Sequence, residues 1–307
     1  MPPFVQTVPL WSSHVEHDTE YILVQNLPTL VWLAQLADLE LHPWLSRIEP
    51  APDAADKPLT FNRTKKRIEA SVLNFPDFMN FDLDPYIYSG KEAAGAEPEF
   101  NRRAFDKGRE IALYLRELLV QLGLKPYVKT SGKTGLHVYV PILRQYDFDT
   151  IRAACGAVGR FLVQQRPDDV TMEWSVKNRT GKIFFDHNMN TRGKNMASIY
   201  SLRPALGAPA SVPVTWEELK DVYPPDFNIE TTPKRLAAIG DLWSQILDDK
   251  HDLQGLIEGL GVGEASGRLA APSSLAAWAV ERASPSEAPR CTPRQKGNGR
   301  MATSPAS

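Results

Sequence analysis

Two cysteines, Cys155 and Cys291, in a chain of 307 residues are too few for a disulfide framework. No apolar run is long enough to span a bilayer, and nothing reads as a signal peptide. Neither sign of charge dominates: the formal net charge is −2, without the basic surplus that broad non-specific DNA binding normally carries. No Ser-His-Asp grouping and no Cys/His zinc spacing is present. These absences exclude a disulfide scaffold, a helical membrane protein and a zinc module, and the compartment expected is the reducing cytoplasm.

What is there suits an ordinary globular protein with a substantial core, at 42% hydrophobic residues. The balance of charge is uneven. From Ala265 onward six basic residues face two acidic ones, so this end is +4 and the remainder −6. That stretch is rich in Ala, Ser, Pro and Arg without periodicity. We expect one catalytic domain over 1–263 and a disordered basic tail over 264–307.

Periodicity predicts a strand at 21–24 and a buried helix over 27–41, with Leu30, Val31, Leu33, Ala34 and Ala37 at helical spacing. His42-Pro43-Trp44 would end that helix. Residues 49–76, with the basic cluster Arg63, Lys65, Lys66 and Arg67, read as an irregular excursion, and 89–101 as a loop. A strand over 78–83 runs into Asp82 and Asp84. The clearest amphipathic helix spans 104–122 and stops at Gly123. Strands at 126–130 and 136–140 flank a Ser131-Gly132-Lys133-Thr134-Gly135 turn, and a helix over 147–165 follows. Two strands, 170–176 and 182–186, would turn at 178–181, and helices at 232–247 and 251–261 close the domain. Near the start, Val5, Val8, Leu10 and Trp11 are apolar where chain ends usually fray, so an exposed apolar patch is expected there. The tryptophans Trp32, Trp44, Trp174, Trp216 and Trp243 read as core or core-edge groups, and Cys155 as a small buried hydrophobe.

The chemistry concentrates in two short runs. In Phe81-Asp82-Leu83-Asp84-Pro85 the two acids stand at i and i+2, so on a strand both carboxylates point to one face. Side by side they repel unless a cation lies between them, and oxygen-only sites suit Mg²⁺ or Mn²⁺. Alone, the pair suits a solvated turn equally well. A third acid, Asp186, ends the apolar strand Ile183-Phe184-Phe185, and three carboxylates at strand ends match two-metal phosphoryl transfer. The second run, Ser131-Gly132-Lys133-Thr134-Gly135-Leu136-His137, offers N–H groups, hydroxyls and a lysine suited to phosphate. It is no P-loop, because Val128 stands where that motif needs glycine. Arg192, Lys194 and Arg203 add cations after the third acid.

These residues together resemble the polymerase domain of bacterial ligase D, in the archaeo-eukaryotic primase superfamily. The matching runs are Leu41-His42-Pro43-Trp44-Leu45-Ser46-Arg47, the Asp82/Asp84 run, Lys129 through His137, and Phe185-Asp186-His187-Asn188 through Arg192-Gly193-Lys194 to Arg203-Pro204. The resemblance implies an α+β fold with mixed and antiparallel sheets flanked by helices. It also implies template-directed nucleotidyl transfer to DNA ends or gaps in non-homologous end joining, with Mn²⁺ or Mg²⁺. Asp82, Asp84 and Asp186 would be catalytic metal ligands. His42, Ser131, Gly132, Lys133, Thr134, His137, Arg192, Lys194 and Arg203 would bind substrate. DNA ends or gapped DNA, nucleoside triphosphates, a Ku homologue and a separate DNA ligase would be the partners. Relative to the family the lysine of the turn is shifted by one place, Met189 stands where many relatives carry arginine, and the segment before Phe4 is short, an N-terminal truncation. Two alternatives remain on the sequence: an inactive relative that binds nucleic acid without extending it, and a haloacid dehalogenase-type phosphatase.

Overall fold

A computed structural model describes residues 1–12, 17–60, 69–85, 99–175 and 178–260. The expected tail over 264–307, the basic cluster from Arg63 to Arg67 and most of the 89–101 loop lie outside the described residues.

The chain opens with an antiparallel hairpin, β1 (Gln6–Ser12) and β2 (His17–Leu23), where the sequence suggested one short strand. The hairpin buries part of the stretch expected to form an exposed apolar patch, while Phe4, Tyr21, Ile22 and Leu27 of the same opening stretch are exposed and the Trp11 side chain lies outside the described residues. Val5, Val8 and Leu10 are buried, the latter two against Ala54, Val72 and Leu73, because pairing with β2 turns alternate β1 side chains inward. Helix α1 (Leu27–Gln35) is shorter and less buried than its periodicity implied. Among its residues Thr29 and Leu33 are buried, while Leu27, Leu30 and Val31 are exposed. It ends well before His42, because Ala37 takes a left-handed turn (φ 59°) and the Asp38 N–H closes back on the Leu33 carbonyl.

The central sheet is built of β3 (Phe78–Pro85), β4 (Tyr127–Thr130), β5 (Leu136–Pro141), β6 (Val170–Thr171), β7 (Ile183–Asp186) and β8 (Pro213–Val214). Its order is β6-β7-β3-β5-β4-β8. Every pairing is antiparallel except β6 with β7, which is parallel. The expected turn at 178–181 is therefore part of a connection that returns β7 alongside β6, and β6 has two residues where seven were expected.

Helices α2 (Arg102–Gln121) and α3 (Phe148–Gln165) pack on one face of this sheet. Asn101 and Asp147 cap them, each side chain accepting an N–H three residues on. Their apolar stripes, among them Phe105, Ile111, Leu115, Ile151 and Val158, meet Met79, Phe81, Leu83, Val138 and Phe185. Cys155 is buried there, and its thiol is pushed up by burial. The period-2 alternation of β3 then sends Asn80, Asp82 and Asp84 to the opposite face. Helix α4 (Thr231–Ile239) stops at Gly240, whose φ of 74° no other residue type adopts cheaply, so the helix expected to reach 247 breaks eight residues early. Helix α5 (Gln254–Gly259) follows. Trp243 is buried, whereas Trp174 is 68% exposed, against the core role expected of it. Among the described residues no helix is long and apolar enough to cross a membrane.

Candidate active site

Strand register assembles the helix-free face. Asp82 of β3 lies opposite Asp186 of β7 on one side and opposite His137 of β5 on the other. His137 lies in turn opposite Lys129 of β4. Cross-strand partners share a face, so Asp186, Asp82, His137 and Lys129 form one row across four strands, with Asp84 one pleat along. His137 Nε2 is 3.5 Å from Asp82 Oδ1. The Asp186 carboxylate accepts the Asn188 N–H at 2.9 Å, which starts a short 3₁₀ turn.

The electrostatics of this row follow from burial and proximity. Burial, reinforced by Asp84 and Asp186, pushes the Asp82 carboxyl well above the usual carboxylate range. Burial and Asp186 raise Asp84, against the pull of Arg179 and Arg203. Burial, with Lys129, Arg203 and His42 nearby, drives His137 well below the ordinary imidazole value, so its ring is neutral. Lys129, a residue that sequence periodicity marks merely as part of a strand, is 1% exposed and pulled down to about 7 by burial. Its ammonium donates to Ser211 Oγ at 2.5 Å.

The donor set is oxygen-only, and its carboxyls carry an electrostatic strain that a divalent cation would relieve. In identity the three acids fit such an ion. Among the described residues, however, no three His, Cys, Asp or Glu side chains converge as a closed ligand shell. The backbone brings the strands together, while the Asp186 carboxylate accepts from Asn188 and Asp82 faces His137.

The glycine turn beside the row is closed on itself. Ser131 Oγ accepts the N–H groups of Lys133 (3.2 Å) and Gly135 (2.9 Å), and the Ser131 N–H donates to the Gly135 carbonyl. Of the two glycine N–H groups read from sequence as phosphate donors, that of Gly135 is thus engaged within the turn. Thr134 is buried and Lys133 half-buried. Gly132 has φ 78°, and a Cβ there would sit 2.7 Å from Arg203 Cγ. A Cβ on Gly135 would stand 2.6 Å from the Leu83 carbonyl oxygen and 3.2 Å from Asp84 Oδ1. Gly135→Ala must therefore shift β3 next to Asp84. We expect a loss of about 1–3 kcal/mol, the cost typical of overpacking, read by thermal unfolding.

Arg203 locks the turn to a second motif. Its guanidinium donates from Nη1 to the Ser131 carbonyl (2.7 Å) and from Nε to Glu40 (2.6 Å). Glu40 also meets His42 Nε2 at 3.1 Å. Burial raises the Glu40 carboxyl, but the hydrogen bonds from His42 and Arg203 win and hold it below its usual value. The segment bearing His42 is held antiparallel to residues 195–198 by Met196 N–H to Pro43 and Ser198 N–H to Leu41. Glu40 escaped sequence reading, since a lone acid between two leucines carries no local signal. So did Arg179, whose guanidinium stacks 3.4 Å from the Phe184 ring centroid and whose charge reaches Asp84. Arg192 and Lys194 are exposed, and Arg192 donates to Asn74 at 3.3 Å. Neither is joined to the acid row by a contact among the described residues.

A family model described as the LigD primase-polymerase domain matches residues 1–243. The multifunctional non-homologous end joining protein LigD of Pseudomonas aeruginosa is 28% identical over 226 residues, 72% of this chain and 22% of that protein. The corresponding protein of Mycolicibacterium smegmatis is 30% identical over 230 residues, 75% of this chain and 26% of its own length. The chain thus spans about a quarter of the curated relatives it matches. Among solved structures, the polymerase domain of Mycobacterium tuberculosis ligase D in complex with DNA aligns with a TM-score of 0.63 at 26% identity. That alignment covers 81% of this chain and 77% of that one.

Proposed function

Because this chain belongs to the LigD primase-polymerase domain family, we propose that it adds nucleotides to DNA ends or gaps by template-directed transfer, in non-homologous end joining. The observation that carries the reading is the register that sets Asp82 between Asp186 and His137, beside a glycine turn tied to Arg203. Asp82, Asp84 and Asp186 would hold Mn²⁺ or Mg²⁺, which when bound supplies activation of the attacking hydroxyl and neutralises charge on the leaving group. The protein's own groups do the rest. Arg203 has five N–H donors, and two are engaged with Glu40 and Ser131, so the remainder can bind a triphosphate while the arginine stays fixed. Neutral His137 can donate or accept a hydrogen bond without adding charge to the acid row. Buried Lys129, at the end of the row, supplies positive potential there in its protonated form. Ser131, Gly132, Lys133 and Thr134 shape the wall, and His42 reaches the same region through Glu40.

We assign DNA ends or gapped DNA and nucleoside triphosphates as substrates, a Ku homologue and a separate ligase as partners, and the cytoplasm as location. Family membership leaves the haloacid dehalogenase alternative without support. The inactive DNA-binding relative makes a different prediction, and one experiment separates them: primer extension with Mn²⁺ beside a DNA-binding assay. Extension supports the proposal, whereas binding without extension sinks it. Within the same assays, Arg203→Ala should weaken nucleotide affinity about tenfold or more, as loss of a charge-assisted hydrogen bond implies, with much less effect on DNA affinity. Equal losses would contradict the role given to Arg203.

A further inference from the structure

Asn80 lies on β3 two residues before Asp82, and strand alternation puts both on the helix-free face. Its side chain is fully buried, yet among the described residues neither amide atom has a hydrogen-bond partner. Backbone needs do not explain it. The Asn80 N–H is taken by Asn190 Oδ1 (2.9 Å), and its carbonyl accepts from Asn190 Nδ2 (2.7 Å) and Cys155 Sγ (3.5 Å). An unpaired buried amide is costly, and an apolar side chain would suit a buried strand position better.

A second orphan stands nearby. His137 Nδ1 is buried without a partner among the described residues, while Nε2 on the other side of the ring faces Asp82. Register relates the two groups: Asn80 pairs with Tyr139 and Asp82 with His137, so Asn80 and His137 are diagonal neighbours on one face. Diagonal neighbours are separated by about 7–8 Å, long for direct contact of a short amide with a ring but matched to one bridging water. Buried waters sit where several polar groups otherwise lack partners.

We propose that Asn80 is a positioning residue for His137, holding the ring at Nδ1 through one ordered water and so aiming Nε2 at Asp82 and the nucleotide. This deepens the nucleotidyl-transfer reading and rests on it for the nucleotide. The bonding is consistent in direction. With Nε2–H toward the Asp82 carboxylate, Nδ1 is an acceptor, the water donates to it, and the water accepts from the Asn80 amide N–H. Asn80 is not a catalytic residue, because it is sealed from substrate.

The test uses an isosteric pair. Asn80→Thr keeps one polar group that can hold the water, and Asn80→Val has the same shape without it; both side chains favour strands. Ring-nitrogen NMR of His137 in the whole chain should show the Nε2–H tautomer in wild type and Asn80→Thr, and a mixture of tautomers in Asn80→Val. The KM for the nucleotide should rise about fivefold in Asn80→Val, as loss of one hydrogen bond implies, and less than about twofold in Asn80→Thr. Identical His137 spectra in the two variants would overturn the proposal, whether or not the protein extends primers. A tautomer change specific to Asn80→Val in a protein that extends nothing would uphold the role of Asn80 and remove the nucleotidyl-transfer reading instead.

Discussion

Asp82→Asn is expected to lower nucleotide addition by roughly a thousandfold or more, since the metal chemistry it would disable is worth several kcal/mol. The same change should leave the melting temperature equal or higher. The Asp82 carboxyl is buried and opposed by Asp84 and Asp186, so a neutral side chain of the same size removes repulsion without opening a cavity. Asp84→Asn and Asp186→Asn should behave alike in activity. Asparagine at 186 keeps a side-chain oxygen for the Asn188 N–H, so the turn after β7 survives. Opposed changes in stability and rate are the signature of residues held for function at a structural cost. Extension assays with Mn²⁺ beside calorimetry on each variant read both quantities. Near wild-type extension by any of the three would remove that acid from the site.

The largest effect on stability is expected at Arg144, far from chemistry in sequence terms. This fully buried guanidinium donates to Asp53 Oδ1 from Nε (2.9 Å) and Nη2 (2.8 Å), and to the carbonyls of Glu49 and Pro50 (2.7 Å each). Lys250 donates to both Asp53 and Asp77, and Arg47 joins Asp77 at 2.9 Å. The network binds the 47–53 loop, the entry to β3 and the chain near α5 into one unit. Arg144→Met strands part of the buried negative charge and the three carbonyls of Glu49, Pro50 and Ala51, which typically costs about 3–5 kcal/mol. For a chain of this size that corresponds to a fall of very roughly 10 °C in melting temperature. The network also sets the acid limit of the fold. Hydrogen bonds from Lys250 and Arg144 overcome burial and hold the Asp53 carboxyl far below its usual value. A depressed carboxylate contributes stability above its unfolded pKa, near 4, and loses that contribution as pH falls below it. Denaturation at pH 7 and pH 3 should therefore show a steeper acid loss in wild type than in Asp53→Asn. Equal slopes would place the acid sensitivity elsewhere.

Much of the fold was legible because it is locally encoded. The stripe of α2, the alternation of β3 and the glycine turn each depend on residues a few positions apart. Where local signals misled, a non-local or conformational cause intervened. The apolar spacing after Leu27 continues past the helix end, but Ala37 turns left-handed and the stripe of α1 stays largely solvent-facing. The 170–186 stretch has the look of a hairpin, yet its two strands pair in parallel. Nothing in their side chains distinguishes those outcomes.

The same division runs through the site. The sequence by itself determined that Asp82 and Asp84 share a face, that Ser131 to Gly135 forms a tight turn, and that Asp186 ends an apolar strand, since strand period and glycine backbone freedom act within a few residues. Only the tertiary structure decided which strands are neighbours. Pairing Asp82 with both Asp186 and His137, burying Lys129 at the end of that row, and joining Glu40 to Arg203 across 163 positions all depend on sheet order and register. Order and register are set by how the whole apolar set packs against α2 and α3, an energy summed over distant residues that no local stretch of chain contains.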